Sequence, residues 1–176
     1  MSESKFYAGI GSRDTPEEVL QVMYSAAVDF AIKGWTLRSG GAEGADSAFE
    51  QGAVEAASVG PGFPEIFLPW PDFNDHAAGE NVFRSPQPWT LDIAQEHHPA
   101  WERLTRGGRM LHCRNVHQIL GYHRDSKRSS FVLCWTKDGQ ATGGTGQAIR
   151  LAQHFDIPVY NLHDSATFER VRRAAA

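Results

Sequence analysis

The chain has 176 residues, of which 41% are hydrophobic and 22% charged, and its net charge is −4. These totals fit one globular domain with a real core and exclude a globally basic nucleic-acid binder or a disordered, charge-driven chain. Cys113 and Cys134 make neither a disulfide framework nor a paired metal site, Met-Ser-Glu-Ser-Lys is not a signal peptide, and no apolar run approaches about 18 residues, so a soluble cytoplasmic protein is expected.

Phe6-Tyr7-Ala8-Gly9-Ile10 reads as a short strand and Gly11-Ser12-Arg13-Asp14 as the turn after it. A helix follows, with Thr15 as its N-cap, Pro16 at the first position and Glu18 closing a capping box. Val19, Met23, Ala26, Ala27 and Phe30 share one face at helical spacing, and Lys33-Gly34 ends it. The unit then repeats. Trp35 opens a strand that passes through Ser39-Gly40-Gly41-Ala42-Glu43-Gly44 into a second helix beginning at Ala45-Asp46. Ala45, Ala48, Phe49, Gly52, Ala53 and Ala56 point inward, small enough to let this helix lie close to a sheet.

Glu65-Ile66-Phe67-Leu68 is a third strand. Residues 70–100 form an irregular insertion or lid, polar and without periodicity over 75–88. Helix is expected over 90–104, broken near Pro99, and again over 109–121 with Met110, Cys113, Val116, Ile119 and Leu120 inward. Ser130 to Trp135 is the most strand-like run in the chain. Gly143-Gly144-Thr145-Gly146 opens a helix over 147–155, and Ile157 starts the last strand, with a short helix after it. Strands alternating with helices imply one α/β domain over 1–176. The expected architecture is a three-layer Rossmann-like fold, with a mostly parallel sheet of about five or more strands and helices on both faces.

In such sheets ligands bind beyond the carboxyl ends of the strands. Three glycine-bearing loops fall there. Gly11, Ser12 and Arg13 make the first; Ser39, Gly40, Gly41, Glu43, Gly44 and Asp46 the second; Gly143, Gly144, Thr145 and Gly146 the third. A strand that turns through glycines into a helix aims several N–H groups at one spot, with the positive end of the helix dipole behind them. Asp14 follows Arg13, so the first loop is not a dinucleotide GxGxxG fingerprint. Glu43 and Asp46 read as helix-start caps, as ribose ligands or as a general base. Residues 103–128 carry seven cationic side chains against Asp125, a local +6 that reads equally as a nucleic-acid surface, a solvated face or a subunit contact. The eight histidines show no metal-ligand spacing, and no metal or cofactor is expected. Trp70, Trp89 and Trp101 flank the insertion and could stack on a base or fill a core.

Gly9-Ile10-Gly11-Ser12-Arg13 with Thr15-Pro16, and Ser39 to Asp46 with Gly52-Ala53, resemble the Rossmann-like core of DprA/Smf, the DNA-processing protein. Arg114-Asn115 opening an apolar helix is similar to that family's Arg-Asn motif, and Gly143-Gly144-Thr145 to its last glycine loop. Leu68-Pro69-Trp70, His98-Pro99-Ala100-Trp101 and Cys134-Trp135-Thr136 resemble compact DprA-like proteins of phage and bacteria, within the wider SLOG group of nucleotide-binding domains that also holds the LOG phosphoribohydrolases. The resemblance implies that Arg114 and Asn115 face the crevice of the glycine loops. It also implies three possible activities. The protein binds a nucleotide or nucleotide derivative, or binds single-stranded DNA as a dimer through the loops and 103–128, or hydrolyses a nucleotide N-glycosidic bond with Glu43 or Asp46. Against hydrolysis, Arg150 stands where the LOG signature has its catalytic glutamate.

Overall fold

The structure, a computed structural model, describes residues 4–176. The leading Met-Ser-Glu of the segment judged not to be a signal peptide lies outside them. Six strands, β1 (Lys5–Gly9), β2 (Trp35–Ser39), β3 (Pro64–Phe67), β4 (Val82–Phe83), β5 (Val132–Cys134) and β6 (Val159–Asn161), form one sheet in the order β4-β3-β2-β1-β5-β6. Every pairing is parallel. Helices α1 (Glu17–Ile32), α2 (Ala45–Ala56) and α6 (Ser165–Ala174) group on one side, and α3 (Thr90–Glu96), α4 (Arg106–Leu120) and α5 (Gly143–His154) on the other. The fold is therefore the expected three-layer Rossmann-like α/β architecture. No helix of the described residues is long and apolar enough to cross a membrane.

Strand alternation divides the core. Tyr7, Leu37, Leu133 and Trp135 pack with Val19, Met23 and Phe49 under α1 and α2. Ala8, Val132 and Cys134 point the other way, onto Val116, Ile119, Ala148 and Ala152 of α4 and α5. The small residues of α2 do more than approach the sheet. A Cβ on Gly52 would lie 2.3 Å from the Tyr24 carbonyl of α1, so this glycine sets how closely the two helices pack, while Phe49 presses on Gly9 of β1.

Several local expectations change. α1 has no side-chain cap, and Pro16 occupies the N-cap position. The Thr15 hydroxyl donates instead to the Ser12 carbonyl at 2.6 Å, so the capping box with Glu18 does not form. α4 starts at Arg106, capped by Thr105, which accepts from the Gly108 amide. The glycines expected to precede α5 form its first turn. Within 70–100 lies β4, which continues the sheet beyond β3 through Ile66 N–H to Asn81 O and Leu68 N–H to Phe83 O. A two-residue edge strand carries no periodicity to read.

Candidate functional site: a cleft at the switch point of the sheet

Strand order reverses direction at β1, whose neighbours are β2 and β5. The carboxyl ends of β1 and β5 therefore diverge into a crevice, the place where open parallel sheets hold ligands. A cleft of about 470 Å³ opens there. Its walls are the loop after β1 (Ile10 to Asp14), the loop after β5 (Thr136, Lys137 and Thr142), the first turn of α5 and one face of α4, with Asp46 of α2 at the base. The volume lies within the usual range for small-ligand sites, roughly 300–1,000 Å³.

The first loop is folded on itself. Ser12 Oγ accepts from the Asp14 amide at 3.1 Å and its carbonyl takes the Thr15 hydroxyl, which leaves the Arg13 side chain exposed at the mouth. The third loop is open. Gly143 and Gly144 are exposed, and a Cβ on either would meet nothing within 4 Å. The amides of Gly143, Gly144 and Thr145 have no acceptor among the described residues, as the first turn of a helix requires unless a ligand or water supplies one. The Thr142 hydroxyl donates to Asp138, so the helix start is not capped from within.

The second loop is sealed. Ser39 is fully buried and its hydroxyl donates to the Gly9 carbonyl at 2.7 Å, which leaves it no proton for a ligand. Gly40 lies against the Arg114 guanidinium, Gly41 (φ 66°) against Leu68, and Gly44 (φ 80°) against the Ser12 and Arg13 backbone. Asn74 donates to the Gly41 carbonyl from outside, so residues of the insertion clamp this loop and none of 70–100 lines the cleft. Glu43 is exposed and outside the cleft. Gly146 packs against the Ala141 carbonyl. Of the candidate residues, Gly11, Ser12, Arg13, Asp46, Arg114, Asn115, Gly143, Gly144 and Thr145 meet in the cleft, whereas Ser39, Gly40, Gly41, Glu43, Gly44 and Gly146 do not line it.

Arg114 joins the two sets. Its Nη1 donates to the Gly40 carbonyl, its Nε donates to Asn115 Oδ1 at 3.0 Å, and its guanidinium stands 3.9 Å from the Asp46 carboxylate. Burial pushes the Asp46 carboxyl up to about 6, against the opposing pull of Arg114 and of the Ala42 and Gly40 amides. The Arg114 guanidinium is lowered by burial, with Asp46 working the other way. Near neutrality the walls carry Arg13, Lys137 and Arg114 against Asp14 and Asp46, with exposed Arg13 and Lys137 free to reach an anion.

Lys137, Thr136, Thr142, Gln118 and His112 also line the cleft and were not among the candidates. Lys137 had a usable signal, since it follows the most strand-like run and so falls at a strand's carboxyl end. The basic segment 103–128 does not form one surface. Arg114 is buried, Arg103, Arg106 and Arg109 sit at the start of α4, and Arg124, Lys127 and Arg128 lie beyond its end. From Arg109, the last of the first group, the helix runs a further eleven residues to Leu120, about 16 Å. Trp101 is buried, Trp89 packs on the α4 side with its indole N–H on Tyr122 O, and only Trp70 of the three is exposed.

No family model matches the chain, and no curated protein matches it. A solved structure of DNA processing protein A from Helicobacter pylori, described for its unique single-stranded DNA binding mode, is similar over 89% of this chain with a TM-score of 0.51. The fold is DprA-like. Identity with that protein is 16%, which carries the architecture alone, and this chain spans 64% of its length.

Proposed function

We propose that the cleft binds a phosphate-bearing nucleotide or nucleotide derivative, with the phosphate at the first turn of α5 between Arg13 and Lys137. The observation that carries this reading is the open glycine turn: two exposed glycines and three amides without an acceptor among the described residues face a cleft flanked by the exposed Arg13 and Lys137. Anions gain from the oriented amides, the helix dipole and the cationic side chains together. Thermal unfolding with a panel of nucleotides tests it. A ligand held at 100 times its Kd should stabilise the protein by about 2.7 kcal/mol, and a panel with no effect at millimolar concentration would remove the reading.

A second reading is favoured by the fold neighbour, a protein described as binding single-stranded DNA. Here the cleft holds one nucleotide of a strand, and Arg103 and Arg106, exposed at the start of α4 beside Gly108 of the cleft wall, hold the next phosphates. This reading includes assembly as a dimer, read by sedimentation. Gel-shift titration across a salt series separates the two. Binding to a strand falls steeply with salt in proportion to the phosphates contacted, whereas a mononucleotide site loses little. Hydrolysis is the weakest reading: of its two candidate carboxylates Glu43 lies outside the cleft, Asp46 lines it but is buried beside Arg114 and accepts the Ala42 amide, and Arg150, at the position of the LOG glutamate, is held on the Ala141 carbonyl. Free base released from nucleoside monophosphates would restore it.

A further inference from the structure

A chain of buried hydrogen bonds behind the cleft fixes the state of a histidine that the reading above leaves unused. Arg114 can only donate, so the Asn115 atom facing its Nε at 3.0 Å is the carbonyl oxygen. The Asn115 amide nitrogen is then the donor to the Gly144 carbonyl and to Gln147, each at 3.2 Å, and the Gln147 atom it meets is Oε1. That same oxygen lies 3.3 Å from His112 Nδ1. An oxygen cannot donate here, so Nδ1 carries the proton and Nε2 carries a lone pair. The imidazole lines the cleft, and its Nε2 has no partner among the described residues, nor is it among the buried atoms sealed from solvent. Protonation of the ring is disfavoured by burial and by the nearby His98, Arg114 and Arg150.

We propose that His112 Nε2 is the cleft's acceptor for a hydrogen-bond donor of the bound nucleotide, either a sugar hydroxyl or a base amine. The proposal rests on the nucleotide reading and adds a specificity-determining residue to it. Phosphate recognition at the α5 turn uses donors of the protein: amides, Arg13 and Lys137. His112 has the opposite polarity and sits on the α4 wall of the same cleft, so it reads a part of the ligand that phosphate contacts ignore. Gln147 is the positioning residue that holds the ring in the accepting tautomer.

Calorimetric titration of wild type and His112→Phe with adenosine 5′-monophosphate, its 2′,3′-dideoxy counterpart and inosine 5′-monophosphate tests this. Wild type should favour the first ligand by roughly tenfold over whichever analogue lacks the recognised donor, the value of one buried hydrogen bond. The dideoxy arm reports the sugar hydroxyls and the inosine arm the base amine. In His112→Phe that ratio should fall to about one while binding of the weaker analogue stays unchanged. Equal ratios in wild type and variant, or no discrimination by wild type, would overturn the proposal. Absence of binding to all three would instead overturn the nucleotide reading beneath it. A variant that fails to fold leaves the proposal open to a direct check in the wild-type protein. The imidazole nitrogen shifts of His112 should report protonation at Nδ1, and a proton on Nε2 would refute the assignment.

Discussion

α2 and α5 both begin through glycine turns at the same edge of the sheet, and the two turns are glycine-rich for opposite reasons. At α2 the glycines make room for the protein itself. A Cβ on Gly40 would lie 2.0 Å from Arg114, one on Gly41 2.7 Å from Leu68, and one on Gly44 2.8 Å from the Arg13 backbone. The N–H of Ala45 is spent on Ser12 O and that of Ala42 on the Asp46 carboxylate. At α5, Gly143 takes a left-handed backbone (φ 65°) that favours glycine whatever the space, and Gly144 leaves room for something else, since beyond the turn's own backbone none of the described residues lies within 4 Å of either missing Cβ. Glycine content alone does not mark an anion site; what matters is whether the space the glycine leaves is already filled.

Substitutions at the two turns should therefore part company. Gly40→Ala drives a methyl group into a buried guanidinium and should cost about 3 kcal/mol of stability by denaturant titration. A neutral result there would mean that Arg114 is not held as described. Gly144→Ala, by contrast, should leave stability within about 0.5 kcal/mol.

The sealed side also has a pH signature. The folded protein raises the Asp46 carboxyl from 3.8 to about 6, so this group's contribution is full below pH 4 and is lost as pH rises through 6. His117 works in the other direction. It is buried among Phe67, Tyr122 and Trp89, its Nε2 accepts from the Gln87 amide, and burial lowers it from 6.5 to about 4. Its contribution is full above pH 6.5 and is lost as pH falls through 4. Each is worth about 3 kcal/mol across its window, so the two nearly cancel in the wild-type protein between pH 4 and 6.5. Asp46→Asn removes one of them, and its stability should then fall by about 3 kcal/mol on acidification over a range where wild type changes little. Parallel profiles for the two proteins would show that Asp46 is not buried as described.

On the open side the effects are smaller and fall on binding. Arg13→Ala and Lys137→Ala should each weaken nucleotide affinity about tenfold, the worth of one charge-assisted hydrogen bond, with stability unchanged within about 0.5 kcal/mol. Unaltered affinity in both would move the phosphate away from the mouth of the cleft.

The alternation of strand, glycine turn and helix was readable because it is local: period-two and helical spacing, with glycines at the strand ends, announced β1, β2, α1, α2 and α5. The sides of the turns were not readable, because a glycine's neighbour is set by packing between distant residues. Gly40 meets Arg114, 74 positions away. Ser39 belongs by sequence to a glycine loop at a strand's carboxyl end, but its hydroxyl is held by Gly9 of the adjacent strand. The +6 run over 103–128 reads as one patch because sequence counts charges, whereas most of the length of α4 lies between its two ends. β4 is not legible in the sequence because two residues have no period, and its place depends on pairing with β3.

The central claim is that the open first turn of α5 is the anion seat, and Gly144→Val tests it most directly. The side chain enters empty space, so the melting temperature should stay at the wild-type value while calorimetric binding of a nucleoside monophosphate is lost. Undiminished binding by a folded Gly144→Val protein would contradict the account and place the ligand elsewhere.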